Sequence, residues 1–136
     1  MQDVLNIEAA SNLTPWSKKT FQKILENRSI SFVIRSNESV VAFCIANKVV
    51  DECHLQNIAV IENLRGKGIG AFMMNILFKR AKLSDLHSII LEVRESNDIA
   101  RKFYRDNGFE ELSVRKDYYK TEKGYENAVI MRLKVL

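Results

Sequence analysis

Two clusters of residues in this sequence have types and spacings that could do chemistry. The first is Arg65-Gly66-Lys67-Gly68-Ile69-Gly70. Glycines let a backbone turn tightly and bring bare N–H groups close to a ligand. Where a helix begins at such a turn, its unpaired donors and partial positive charge make an anion site, most naturally for phosphate. Arg65 and Lys67 supply mobile positive charge beside it. The second cluster is Glu92, Asn97 and Tyr104, a carboxylate, an amide and a phenol. A carboxylate can take a proton and a phenol can give one, the two halves of general acid–base catalysis.

The flanking pattern supplies the elements that must position both clusters. An apolar stretch, Leu55 to Ile61, runs into the hexapeptide. Ile69, Phe72, Met73, Ile76, Leu77 and Ala81 then recur at three- and four-residue steps, predicting one apolar face of a helix to about Leu83. The glycines therefore sit where a strand hands over to a helix. A Walker-type loop and a dinucleotide fingerprint both fail on spacing, because the pattern is G-x-G-x-G in mid-chain. The plainer alternative is a glycine-rich turn with two solvated cations. Ser88 to Arg94 reads as the next strand and Asn97 to Asn107 as a helix stopped by Gly108. Asn97 and Tyr104 then share a helix face, roughly 10 Å apart along its axis. Glu92 falls near the C-terminal end of a strand adjacent to the one feeding the glycines, where α/β sheets bind ligands. Each residue also has a plain reading: Glu92 facing solvent, Asn97 only capping a helix, Tyr104 packing in a core.

The remainder reads as hairpins and short helices. Asp3 caps a helix through Ser11, which Asn12-Leu13-Thr14-Pro15 breaks. Ser17 caps a second helix with Phe21, Ile24 and Leu25 as its buried stripe, and Trp16 packs back onto it. Ser31 to Arg35 and Ser39 to Val49 form a hairpin, and Asp51 to Ile61 returns antiparallel across a tight turn near Val50. Phe109 to Arg115 and Asn127 to Val135 are the last strands, separated by a polar loop from Lys116 to Glu126. These elements predict an α/β fold, a mixed sheet with helices on both faces.

At 136 residues, 46% hydrophobic and 28% charged, the chain suits a single globular domain spanning residues 1–136. No apolar run approaches the ~20 residues of a membrane span, and no signal pattern opens the chain, so cytoplasm is the expected compartment. The net charge of +4 is spread along the chain, which argues weakly for nucleic acid. Cys44 and Cys53 read as reduced core residues, and His54 and His87 lack metal-ligand spacing.

The pattern R-x-x-G-x-G at Arg65 to Gly70 resembles the pyrophosphate loop of the GNAT superfamily of N-acetyltransferases. Pro15-Trp16-Ser17, Asn57-Ile58-Ala59-Val60, Leu91 to Asn97, Tyr104 with Gly108-Phe109, and Arg115 with Tyr118-Tyr119 narrow it. Together they are similar to the bacterial ribosomal-protein-alanine N-acetyltransferases, the RimI family, from about Ile7 to Leu133. The resemblance implies a mostly antiparallel GNAT sheet with two central parallel strands splayed apart, and acetyl-coenzyme A as cosubstrate with no metal. It implies that the backbone of Ile58, Ala59 and Val60 holds the pantetheine arm and acetyl carbonyl. Arg65, Gly66, Lys67, Gly68, Ile69 and Gly70 would hold the pyrophosphate, with Asn97 further along the cofactor. Glu92 would be the general base and Tyr104 the general acid; Tyr118 and Tyr119 would line the substrate side, opposite a lip shaped by Trp16.

The implied reaction is acetylation of a protein N-terminal α-amine, on a ribosomal protein beginning with alanine. No nucleic acid or membrane takes part, and the chain would act as a monomer or weak dimer. Acetylation of a lysine or small amine, or a silent cofactor-binding role, are the alternatives; Glu92 with Tyr104 speaks against the last. Glu52 or His54, acting through water, is a rival base. The alignment leaves no residues for the family's usual first strand, so the sheet is expected to lack one edge strand.

Overall fold

Runs of β-branched and aromatic residues fold into the predicted strands, and the chain's one long helix-period stretch into the predicted helix. The computed structural model describes residues 1–26 and 30–136. Strands β1 (Phe32–Ser36), β2 (Ser39–Val49), β3 (Glu52–Val60), β4 (Ser88–Arg94), β5 (Glu110–Thr121) and β6 (Gly124–Lys134) form one sheet in the order β1-β2-β3-β4-β6-β5. Helices α1 (Gln2–Ser11) and α2 (Lys18–Leu25) precede it, α3 (Ile69–Leu83) joins β3 to β4, and α4 (Asp98–Asp106) joins β4 to β5. Among the described strands only β3 and β4 run parallel, which requires the long crossover that α3 supplies. Among the described residues no strand precedes α1, and β1 is a sheet edge. Among the described residues no helix is long and apolar enough to cross a membrane.

The period-2 alternation of β2 divides the core. Ala42, Cys44 and Ala46 join Met73, Met74, Leu77 and Ala81 of α3 on one face; Phe43 and Ile45 meet Val4, Ile7 and Phe21 on the other. Each such large apolar side chain contributes about 1.5–3 kcal/mol by leaving water. An exposed ion pair such as Lys102–Asp106 contributes at most ~1 kcal/mol, so apolar packing holds the helices to the sheet. Cys44 and Cys53 are free and buried, as predicted, and burial pushes the Cys53 thiol up to about 12. Trp16 packs on Phe21, with ring centroids 5.1 Å apart.

Three local predictions need correction. Phe72 is 56% exposed; the buried stripe of α3 is centred one residue on, so Met74 takes the place assigned to Phe72. Asp3 lies inside α1 rather than capping it, and its Oδ2 accepts from the Val40 amide at 3.1 Å. Lys116 to Glu126 is not a loop, because β5 and β6 continue to a tight turn with Thr121 paired to Gly124. β5 is exposed along most of its length and breaks register twice, so it lacks the apolar alternation that marks a strand in sequence.

The β2–β3 turn carries strain. Val50, 85% exposed, has φ 57°, a left-handed conformation that a β-branched residue resists. Val50→Asn should therefore stabilise the fold by about 1 kcal/mol, read as a higher urea midpoint at unchanged slope.

Candidate active site

The site begins where two strands part. β3 and β4 pair from Glu52 with Ser88 to Leu55 with Leu91, yet β3 continues to Val60 and β4 to Arg94. On the other side of β3, the register against β2 shifts between Ile45 and Ala46, leaving Gln56 as the extra residue. A bulge bends its strand and increases its twist, and this one falls where β3 leaves β4. The splay opens a cavity of about 280 Å³, lined by Asn57 and Ile58 from β3, Glu92 and Arg94 from β4, and Asn97 and Tyr104 around α4. A second cavity of about 310 Å³ shares Glu92, Trp16 and Tyr119 with the first and adds His54 and Tyr118.

The predicted residues therefore fall into three groups. Ile58, Glu92, Asn97, Tyr104, Trp16 and Tyr119 come together at the first cavity, and Tyr118 joins at the second. Ala59 is buried on the α1 side and Val60 packs against the main core; neither lines either cavity, and the Val60 carbonyl accepts from Arg65. Arg65 to Gly70 line neither cavity. Of the two rival bases, His54 reaches the second cavity and lies 3.5 Å from Glu52, which lines neither.

The loop has the form of an anion cradle. Gly66 and Gly68 adopt φ +75° and +86°, and a Cβ at either would meet nothing within 4 Å. Gly68 is the N-cap of α3 without a side-chain hydrogen bond, so the first-turn amides are free to donate outward. Gly70 has another reason to lack a side chain, since a Cβ there would stand 3.0 Å from the Phe103 ring of α4. Arg65 is not mobile: its Nε donates to the Val60 carbonyl at 3.0 Å and its Nη2 to Ser11 Oγ at 2.9 Å.

Asn97 caps α4 by accepting from the Ala100 amide at 3.1 Å while also lining the cavity. Tyr104 packs edge-on against Phe103 and Phe109, and burial raises its phenol well above the usual range, with Cys44 and Tyr119 adding to the effect. It is a proton donor throughout the neutral range. Glu92 lies 3.4 Å from Arg115, and its carboxylate beside the Tyr118 phenol raises that phenol's pKa. Tyr119 is pushed up to about 12, first by burial and then by the Glu92 charge. Arg94 stacks 4.6 Å over the Tyr119 ring and pairs with Glu126 at 3.0 Å.

Sequence reasoning passed over Arg94 and Glu8, both at the cavity wall. Arg94 shares a strand face with Glu92 two residues earlier, and Glu8 follows buried Val4 by one helical step; either spacing could have drawn attention to them.

The raised phenols make the fold sensitive to alkali. A tyrosine that ionises near ~10 unfolded and at about 12 folded destabilises the native state as pH rises between those values. Stability should fall above pH ~10, and Tyr119→Phe should flatten that fall, checked by urea titrations at pH 8 and pH 11.

Residues 1–109 match the acetyltransferase (GNAT) family. The ribosomal protein bS18-alanine N-acetyltransferase of Escherichia coli is 35% identical over 130 residues, 96% of this chain and 88% of that protein. The enzyme of the same name from Haemophilus influenzae is 37% identical over 126 residues, 92% and 86% of the two chains. The crystal structure of the Escherichia coli ribosomal-protein-S18-alanine N-acetyltransferase superposes with a TM-score of 0.90 at 34% identity, covering 98% of this chain and 86% of that one. Splay, glycine cradle and neighbouring carboxylate and phenol thus occur in a chain that belongs to the GNAT acetyltransferases, on the RimI branch, and is an acetyl-coenzyme A-dependent N-acetyltransferase.

Proposed function

We propose that the acceptor is the N-terminal α-amine of a ribosomal protein beginning with alanine, the target in the names of the two enzymes described above. The observation that carries this reading is that Glu92 and Tyr104, a carboxylate and a protonated phenol, line one cavity at the parting of β3 and β4. Acetyl-coenzyme A supplies the thioester. The backbone of Ile58 to Val60 meets its pantetheine arm, and the Arg65 to Gly70 cradle, including Lys67 and Ile69, meets its pyrophosphate. Asn97, which lines the first cavity, meets the cofactor further along. The second cavity, between Trp16 and the Tyr118-Tyr119 pair, takes the acceptor.

The acceptor must lose a proton before it attacks. An α-amine with a reference pKa near ~8 is about a tenth free base at neutral pH, whereas lysine, near ~10.4, is far below a hundredth. Glu92 removes the remaining proton, and Tyr104 gives one to the departing sulfur. Neither cysteine has a part, because both are buried as thiols. The reading places a single domain, acting as a monomer or weak dimer, in the cytoplasm with its target. Thiol release should appear with a peptide bearing a free N-terminal alanine and vanish when that terminus is blocked; activity on the blocked peptide through a lysine would overturn it.

Acetyl-coenzyme A should protect the chain against heating, because a ligand bound only by the folded state stabilises it. Gly68→Val should abolish most of that protection by filling the cradle, and unchanged protection would place the pyrophosphate elsewhere.

Tyr104→Phe should lower kcat by roughly 10²–10⁴-fold with cofactor affinity little changed. Glu92→Gln should also slow turnover, but its deficit should shrink at high pH, where the α-amine is already neutral. The Tyr104→Phe deficit should persist there, since burial keeps the wild-type phenol protonated. The pH–rate profiles of the two variants separate the acid from the base.

A further inference from the structure

Glu8 is the only buried carboxylate among the described residues, 1% exposed, and no cation pairs with it there. Three neutral donors meet it instead. Its Oε2 accepts from the Trp16 amide at 2.9 Å and from Asn12 Nδ2 at 3.2 Å, and its Oε1 accepts from Asn57 Nδ2 at 3.0 Å. An apolar side chain would hold α1 on the sheet without desolvating a charge. What a carboxylate adds is two acceptor oxygens that bind two separate segments at once.

Those segments are two walls of the site. Asn57 follows the bulge at Gln56 and stands on β3 after β4 has left it. Trp16 lines both cavities and forms the lip between them. A second tie, from Arg65 to Ser11 and to the Val60 carbonyl, binds the end of α1 to the end of the same open strand. Helix α1 is thus a brace along the part of β3 that has lost its neighbour.

We infer that Glu8 is a positioning residue for acetyl transfer, fixing the open strand β3 relative to the Trp16 lip so that acceptor and acetyl group meet in register. The inference rests on the reading of the second cavity as the acceptor site. It assigns Glu8 no proton transfer and no contact with the reacting atoms.

The test exchanges donor for acceptor across one bond. Glu8→Gln keeps one oxygen for Trp16 and turns an amide N–H toward Asn57, whose own amide must rotate to accept it, so the bond survives only in a changed arrangement. Adding Asn57→Asp restores complementarity, because the amide introduced on α1 then donates to the carboxylate introduced on β3; Asn57→Asp alone opposes two carboxylates. With an alanine-terminated peptide, Glu8→Gln should lower kcat/KM by about 10–100-fold, the range a misplacement on the order of 1 Å produces. Coenzyme A affinity should stay within about threefold, because the glycine cradle is untouched. Trp16 is the chain's only tryptophan, so its fluorescence reports on the lip directly: acrylamide quenching should rise in Glu8→Gln and return in the double variant. Recovery of activity in the double variant, with Asn57→Asp worse than either, supports the clamp.

A folded Glu8→Gln with wild-type kcat/KM and wild-type quenching overturns it. So does a double variant no better than Glu8→Gln, or equal losses toward peptide and coenzyme A. Should Glu8→Gln fail to fold, Asn57→Ala cuts the strand bond alone and should show the kinetic split with Trp16 quenching unchanged. If the wild-type chain leaves the peptide unmodified, the acceptor assignment falls, and Trp16 quenching still decides the clamp.

Discussion

Beyond Leu55, one side of β3 has no strand to pair with, and most of the molecule's specialised structure answers to that gap. A buried backbone N–H or C=O left without a partner costs about 1–3 kcal/mol, so such an edge persists only where something else meets it. An extended ligand that hydrogen-bonds like a missing strand is the natural occupant. The bulge at Gln56 bends β3 away from β4, and the same strand then delivers the chain into the glycine cradle. One strand thereby carries both the open edge and the lead into the glycine turn.

The charges around the splay are arranged so that none faces it alone. Glu92 stands between the two cavities with Arg115 and Tyr118 as partners, and Arg94 is held between Tyr119 and Glu126. These are partly exposed interactions, each stabilising by at most ~1 kcal/mol, so their value lies in orientation rather than in holding the fold together. The fold is held by the apolar faces, which also bury Tyr104 enough to keep its proton.

What can be read from the sequence follows the range of the forces involved. The caps at Ser17 and Asn97, the apolar face of α3 and the alternation of β2 are local signals, legible within a few residues. The convergence of Glu92 with Tyr104 is legible because topology brings the ends of neighbouring elements together. Contacts between distant segments leave no such trace. Glu8 meets Asn57 across 49 positions, and Arg65 meets Ser11 across 54. The tip of the β5–β6 hairpin reads as a loop because a strand exposed on both faces carries no apolar period. Gly70 reads as part of the cradle, although its constraint comes from Phe103.

The irregularity of β5 bears on how the molecule coexists with its own copies at high concentration. β5 is the last strand of the sheet, twelve residues long, with Leu112, Val114 and Tyr118 exposed. A straight outer strand of that length would offer a row of free backbone groups onto which another chain could zip, the first step toward fibrils. β5 breaks its register between Glu111 and Ser113 and again between Arg115 and Tyr119, where Asp117 turns to φ 55°. No incoming strand can follow that path for more than a few residues. The same distortion that accompanies Tyr118 and Tyr119 at the second cavity thus shields the enzyme from polymerising through its longest open border.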